Sequence, residues 1–98
     1  MERGGFVYFM TNKNNTVIYT GVTSNLRNRV YDHKIGKYPN SFTNRYNCHK
    51  LVYYETYPYI EEAIAREKQI KGGSRKKKEE LIRQMNPDWH DLFEQIED

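Results

Sequence analysis

The chain has 98 residues and a formal net charge of +3, enough for one domain with a modest core. Only 37% of it is hydrophobic, but nine tyrosines add ring surface that can be buried. No stretch approaches the ~18 apolar residues of a membrane helix, and the opening Met-Glu-Arg-Gly-Gly does not read as a secretory leader. The single cysteine, Cys48, excludes an internal disulfide framework and a zinc site built on several cysteines, so a cytoplasmic protein is the default expectation.

The charge is unevenly spread. Residues 1–60 hold eight Lys or Arg against three Asp or Glu, and residues 61–83 hold eight against five. Residues 84–98 hold five acids and no Lys or Arg. A basic body with an acidic end suits an anionic polymer as partner, although ordinary solubility charge would look the same.

Phe6–Thr11 and Thr16–Val22 are short β-branched and aromatic runs around an Asn-rich tetrapeptide, which predicts a β-hairpin. Gly21, inside the second run, predicts a bulge or a close backbone approach. Ser24 is a suitable cap for a helix over 25–35 closed by Gly36. Residues 37–50 read as a loop, and Leu51–Tyr57 as a third strand. Pro58 opens a helix ending at Lys71 before Gly72-Gly73, and Ser74 caps another that runs to Met85. Asn86-Pro87 repeats the cap-then-proline signature and predicts a last, acidic helix over 88–96. The order β-β-α-β-α-α-α describes a single α+β domain over 1–98, with a small antiparallel sheet flanked by helices.

Polar groups stand where apolar ones are expected. On the first predicted helix, Arg29 and His33 lie one turn apart beside the Leu26–Val30 stripe. A snorkelling arginine and a hydrogen-bonded boundary histidine would also explain that pair. On the helix after the third strand, Ile60, Ala63, Ile64, Glu67 and Lys71 follow helical spacing, which turns Glu67 toward the sheet. A carboxylate there needs a cation, a donor or a metal, and Arg29 or a lysine would serve as a structural partner. Tyr8 and Tyr19 each sit mid-strand and can reach the helix-covered face. Tyr53, Tyr54, Tyr57 and Tyr59 read as packing residues with satisfied hydroxyls. The run Arg75-Lys76-Lys77-Lys78 spans a full helical turn, so part of it must face solvent.

These residues also carry a resemblance. Phe6-Val7-Tyr8 stands where GIY-YIG nuclease domains write Gly-Ile-Tyr, and Tyr19-Thr20-Gly21 where they write Tyr-Ile-Gly. Arg29 occupies the place of the family's arginine, with His33 one turn on. Ala63–Lys71 is similar to the helix that presents the metal-binding glutamate, which places Glu67 in that role. Asn86 resembles the polar residue near the family's C-terminal end. The chain is most similar to small stand-alone bacterial members related to the N-terminal nuclease domain of the bacterial excinuclease. It departs from the pattern at Phe6, which replaces the first motif's glycine.

The resemblance implies a three-stranded antiparallel sheet flanked by helices, and phosphodiester hydrolysis assisted by one Mg²⁺ or Mn²⁺. It implies catalytic roles for Tyr8, Tyr19, Arg29, His33 and Glu67, with Glu67 holding the metal. Arg29 would grip phosphate bidentately, and Tyr8, Tyr19 and His33 are three candidates for the base. Arg27, Arg29, Lys71, Lys76 and Asn86 are the expected substrate contacts. The expectation is a DNA endonuclease in repair or mobile-element processing, its site residues lining one cleft over the sheet, with no small-molecule cofactor and no membrane. A nucleic-acid-binding module of the same fold with little or no cleavage is the alternative; an interaction scaffold, suggested by the acidic end alone, comes third.

Overall fold

The two runs flanking the Asn-rich tetrapeptide pair as expected. In the computed structural model, which describes residues 4–96, β1 (Gly5–Thr11) and β2 (Ile18–Thr23) are antiparallel. Their turn is built by Asn12, whose side chain accepts from the backbone of Thr16 and Val17, and by Asn15, which takes a positive φ of 58°. β3 (Lys50–Tyr57) joins the other edge of β1, giving an antiparallel sheet of order β2-β1-β3.

Gly21 marks a close approach and not a bulge. It lies directly opposite Tyr8, and a Cβ at Gly21 would sit 2.5 Å from the Tyr8 ring and hydroxyl. The irregularity falls instead between β1 and β3, at Phe9 and Met10.

Strand alternation sends Tyr8 and Met10 to one face of the sheet and Val7 and Phe9 to the other. The first face packs on Leu26 and Val30 of α1 (Leu26–Ile35), with Cys48, Leu51, Leu92 and Ile96 completing the cluster. The second packs on Ala63 and Ile70 of α3 (Ile60–Lys71) and Ile82 of α4 (Arg75–Met85). Two one-sided cores therefore share a single sheet, and the Cα radius of gyration of 12.7 Å matches the ~13 Å of one packed unit this long.

Several boundaries differ from expectation for identifiable reasons. Asn25, not Ser24, caps α1, its side chain accepting from the Asn28 N–H at 3.1 Å. Gly36 ends that helix in the left-handed region, as a C-cap glycine does. The predicted loop over 37–50 contains a short helix, α2 (Phe42–Arg45), capped by Ser41. α3 begins at Ile60, because Tyr59 remains extended behind Pro58. Ile64, placed on the buried stripe by spacing, is 38% exposed.

The acidic helix expected over 88–96 does not form; the segment holds only a 3-10 turn at Phe93–Gln95. Asn86 ends α4, Trp89 adopts a φ of 55°, and the chain is bound to β3 along the sheet's outer edge. Leu92 N–H donates to Leu51 C=O at 2.7 Å, and the Asp91 carboxylate accepts from Leu51 N–H at 3.2 Å. These tertiary bonds replace the intrahelical ones. Glu97 and Asp98, the last of the predicted acidic end, lie outside the described residues. Among the described residues no helix is long and apolar enough to cross a membrane.

Candidate active site

Four of the five expected catalytic residues meet on the α1 side of the sheet. Tyr8 and Tyr19 project from adjacent strands, with ring centroids 6.2 Å apart. His33 lies against both, at 5.7 Å from Tyr8 and 5.5 Å from Tyr19. Its Nε2 is 2.8 Å from the Tyr8 hydroxyl, and its Nδ1 is 2.8 Å from Thr43 Oγ1. Thr43 Oγ1 is in turn 3.2 Å from Ser41 Oγ. A hydrogen-bonded chain thus runs from the buried phenol through the imidazole to the half-buried Ser41.

The electrostatics follow from burial and one cation. Burial, and next the neighbouring Tyr19, push the Tyr8 phenol well above its ordinary value, while the Arg29 guanidinium bonded to it pulls the other way. Burial, and next the same cation, lower His33 to about 4, against an upward pull from Asp32. His33 is therefore neutral at physiological pH, one ring nitrogen donating and the other accepting. Arg29 itself is half-buried, with Tyr8, Tyr19 and Tyr38 as its electrostatic neighbours; its guanidinium carbon stands 5.5 Å from the Tyr38 ring centroid. No carboxylate among the described residues pairs with it. An always-charged fork among phenols has the chemistry to take up an anion.

Glu67 corrects the expectation of one cleft over one face. α1 covers one side of the sheet and α3 the other, so Arg29 and Glu67 belong to helices on opposite faces. What links the two sides is the free edge at β2. A shallow groove of about 280 Å³ there is lined by Ile18, Tyr19 and Thr20 of β2, Phe42 of α2, Lys71 of α3 and Lys78 of α4. Glu67 Oε2 is 2.8 Å from Lys71 Nζ, with Glu67 12% and Lys71 52% exposed in their side chains. The structural partner of Glu67 is thus a lysine one turn on. Thr20 contributes a buried hydroxyl without a hydrogen-bond partner in the described structure.

The expected substrate contacts divide. Arg29 is in the phenol cluster and Lys71 in the edge groove, while Lys76 is exposed on the first turn of α4 and Lys78 lines the groove instead. Arg27 and Asn86 are used within the fold. Arg27 donates to the Ile96 carbonyl at 3.2 Å and lies over the Phe93 ring. Asn86 is 5% exposed; its carboxamide donates to the Val52 and His90 carbonyls and accepts from His90 N–H. Tyr53 and Tyr57 have satisfied hydroxyls, both on Glu55, which Arg66 also binds; Tyr59 is 44% exposed. The sequence reading missed Thr43, Phe42 and Tyr38. The legible signal was an acid-free stretch from His33 to Tyr54 in which Lys37-Tyr38, Phe42 and Arg45-Tyr46 interleave cations with rings.

A model of the GIY-YIG catalytic domain matches residues 4–80, well over half of the chain. The chain belongs to the GIY-YIG family. The family is one of nuclease domains, and small bacterial proteins are among this member's relatives. A UPF0213 protein of Syntrophus aciditrophicus is 37% identical over 83 residues, which cover 85% of this chain and 93% of the relative. A UPF0213 protein of Staphylococcus haemolyticus is 36% identical over 77 residues, covering 79% and 92%. The solution NMR structure of the UPF0213 protein of Bacillus halodurans aligns with a TM-score of 0.56 at 29% identity, over 91% of this chain and 93% of that one. The GIY-YIG fold of this member is thus supported by its sequence and its backbone alike.

Proposed function

We propose that this GIY-YIG chain is a divalent-metal-dependent endonuclease that hydrolyses DNA phosphodiester bonds. The observation that carries the reading is Arg29, a guanidinium without a carboxylate partner among the described residues, held among Tyr8, Tyr19 and Tyr38 beside a neutral histidine. Arg29 would take the scissile phosphate through two parallel donors. Tyr8 would receive the attacking water's proton while passing its own to His33 Nε2, in the tautomer whose Nδ1–H donates to Thr43. The imidazole is neutral over most of the working range and so can accept the proton, but a pKa of about 4 makes it a weak base.

The donor set fits one hard cation. Among the described residues no three His, Cys, Asp or Glu side chains converge, so the cation would rest on the Glu67 carboxylate and on water, as Mg²⁺ commonly does. Held on the α3 side, it would supply charge neutralisation at the phosphoryl oxygens across the β2 edge that links the two faces. Lys71 bonds the same carboxylate.

The test is cleavage of a panel of nicked, branched and flapped DNAs with Mg²⁺ or Mn²⁺. Glu67→Gln should abolish cleavage, yet alter metal-free stability by less than about 1 kcal/mol, because the lysine it releases is half-exposed. A loss of ~3–5 kcal/mol would instead make Glu67 a buried structural charge. Tight DNA binding with no cleavage under any condition favours the second reading, a binding module. The raised Tyr8 phenol and the Glu67–Lys71 pair support that alternative.

A further inference from the structure

α2 and its C-cap residue Tyr46 leave much of their aromatic surface in water. Phe42 is 46% and Tyr46 44% exposed, and neither joins the cluster on either face of the sheet. Their centroids are 4.6 Å apart, and Phe42 stands 5.8 Å from Tyr19 at an interplanar angle of 31°. A row of rings therefore leads from solvent at Tyr46, through Phe42 and Tyr19, to His33. Four residues are too few for an independent helix, and this one is fixed by its surroundings. Thr43 is 2% exposed and bonded to His33, Cys48 N–H donates to Thr43 C=O at 2.7 Å, and the Asn44 side chain donates to Pro39 C=O. The backbone that carries the rings is thus fixed before any ligand arrives, which lowers the entropic cost of stacking on them.

Cations edge the rings, one of them, Lys71, paired with Glu67. Phe42 shares the edge groove with Lys71 and Lys78, and Arg45 precedes Tyr46. A ring platform edged by cations matches a nucleobase carried on a phosphate backbone, and base–aromatic stacking tolerates any sequence. In a continuous duplex both faces of each base are already stacked, so the match is to an unpaired base. We propose that Phe42 and Tyr46 form a stacking subsite for an unpaired nucleobase of a DNA substrate, making single-stranded or flapped DNA the preferred class. The proposal rests on the nuclease reading for its ligand but not on catalysis.

The experiment uses metal-free Glu67→Gln protein, so that cleavage does not intrude, and two DNAs of equal length. One is a flap carrying 2-aminopurine at its first unpaired position, and the other is a perfect duplex. The flap should bind more tightly, with 2-aminopurine fluorescence quenched on binding. Phe42→Ala and Tyr46→Ala should each weaken flap binding about tenfold, leave duplex binding unaltered and relieve the quenching. Phe42→Trp should retain all three properties, and unchanged melting temperatures should show that the variants fold. Equal affinity for both DNAs, or flap binding indifferent to both alanine changes, overturns the subsite. If the wild-type protein with Mg²⁺ does not cleave but the ring-dependent quenching persists, the nuclease reading falls and the subsite stands. If cleavage occurs without ring dependence, the reverse holds. Failure to bind either DNA overturns the subsite.

Discussion

His33 is 4% exposed, bonded at both ring nitrogens, and lowered to about 4. A histidine in the unfolded chain takes up a proton near pH 6.5, so between about 6.5 and 4 the unfolded state binds a proton that the folded state refuses. The His33 contribution to stability is therefore complete above pH 6.5 and lost as pH falls toward 4, with an upper bound of about 3 kcal/mol. Urea unfolding of the wild type should show this loss between pH 7 and 4.5, and His33→Gln should lack it. Carboxylates with lowered pKa values, such as Glu55, also destabilise the fold in acid. For Glu55, burial acts upward, but hydrogen bonds from Arg66, Tyr53 and Tyr57 outweigh it. That contribution is common to both proteins and cancels in the difference. Parallel pH profiles would show that folded His33 titrates normally.

At the scale of elements, the hairpin joins two distant pieces of sequence into one object. Tyr8 of β1 lies across Gly21 of β2, and the ring fills the space that any side chain there would take. Gly21→Ala should displace the phenol, cost about 1–3 kcal/mol and remove the Tyr8–His33 hydrogen bond. In a double-mutant cycle Gly21→Ala with Tyr8→Ala should cost less than the sum of the single changes, since the alanine no longer meets a ring. Strict additivity by urea titration would refute the contact. The hairpin, α1, α3 and α4 were legible because apolar runs, spacing and Gly or Ser boundaries agreed, apart from the α1 cap, which is Asn25 and not Ser24. α2 was not, since four residues are too short for periodicity and the bonds of Thr43 and Asn44 hold it. Asn86-Pro87 satisfied the signature of a helix start, but the Asn86 carboxamide bonds Val52 and His90, a choice made by tertiary partners. In the site, spacing showed which side of α3 carries Glu67. It could not show which side of the sheet α3 covers, because that depends on how the chain passes the strands.

At the scale of the whole molecule, charge and topology divide at the two sheet edges. The β2 edge bears the groove with Lys71 and Lys78, while the β3 edge is covered by the acidic segment after Asn86. Asp91 there pairs with Lys34 as well as binding Leu51 N–H, so this acid serves as a fastening and shields an edge that could otherwise recruit another strand. The same segment begins beside α4 on one face and delivers Leu92 and Ile96 into the cluster on the other. The stretch matched by the family model ends at residue 80, ahead of Ile82, Asn86, Leu92 and Ile96, all at most 9% exposed. The boundary of the shared catalytic pattern is therefore not the boundary of what folds. A protein ending at residue 80 should keep every expected catalytic side chain, yet lack cooperative thermal unfolding and give poorly dispersed amide spectra. Transplanting the proposed activity into a fusion would need the closing segment to travel with it, because Leu92 and Ile96 complete the cluster that holds Tyr8.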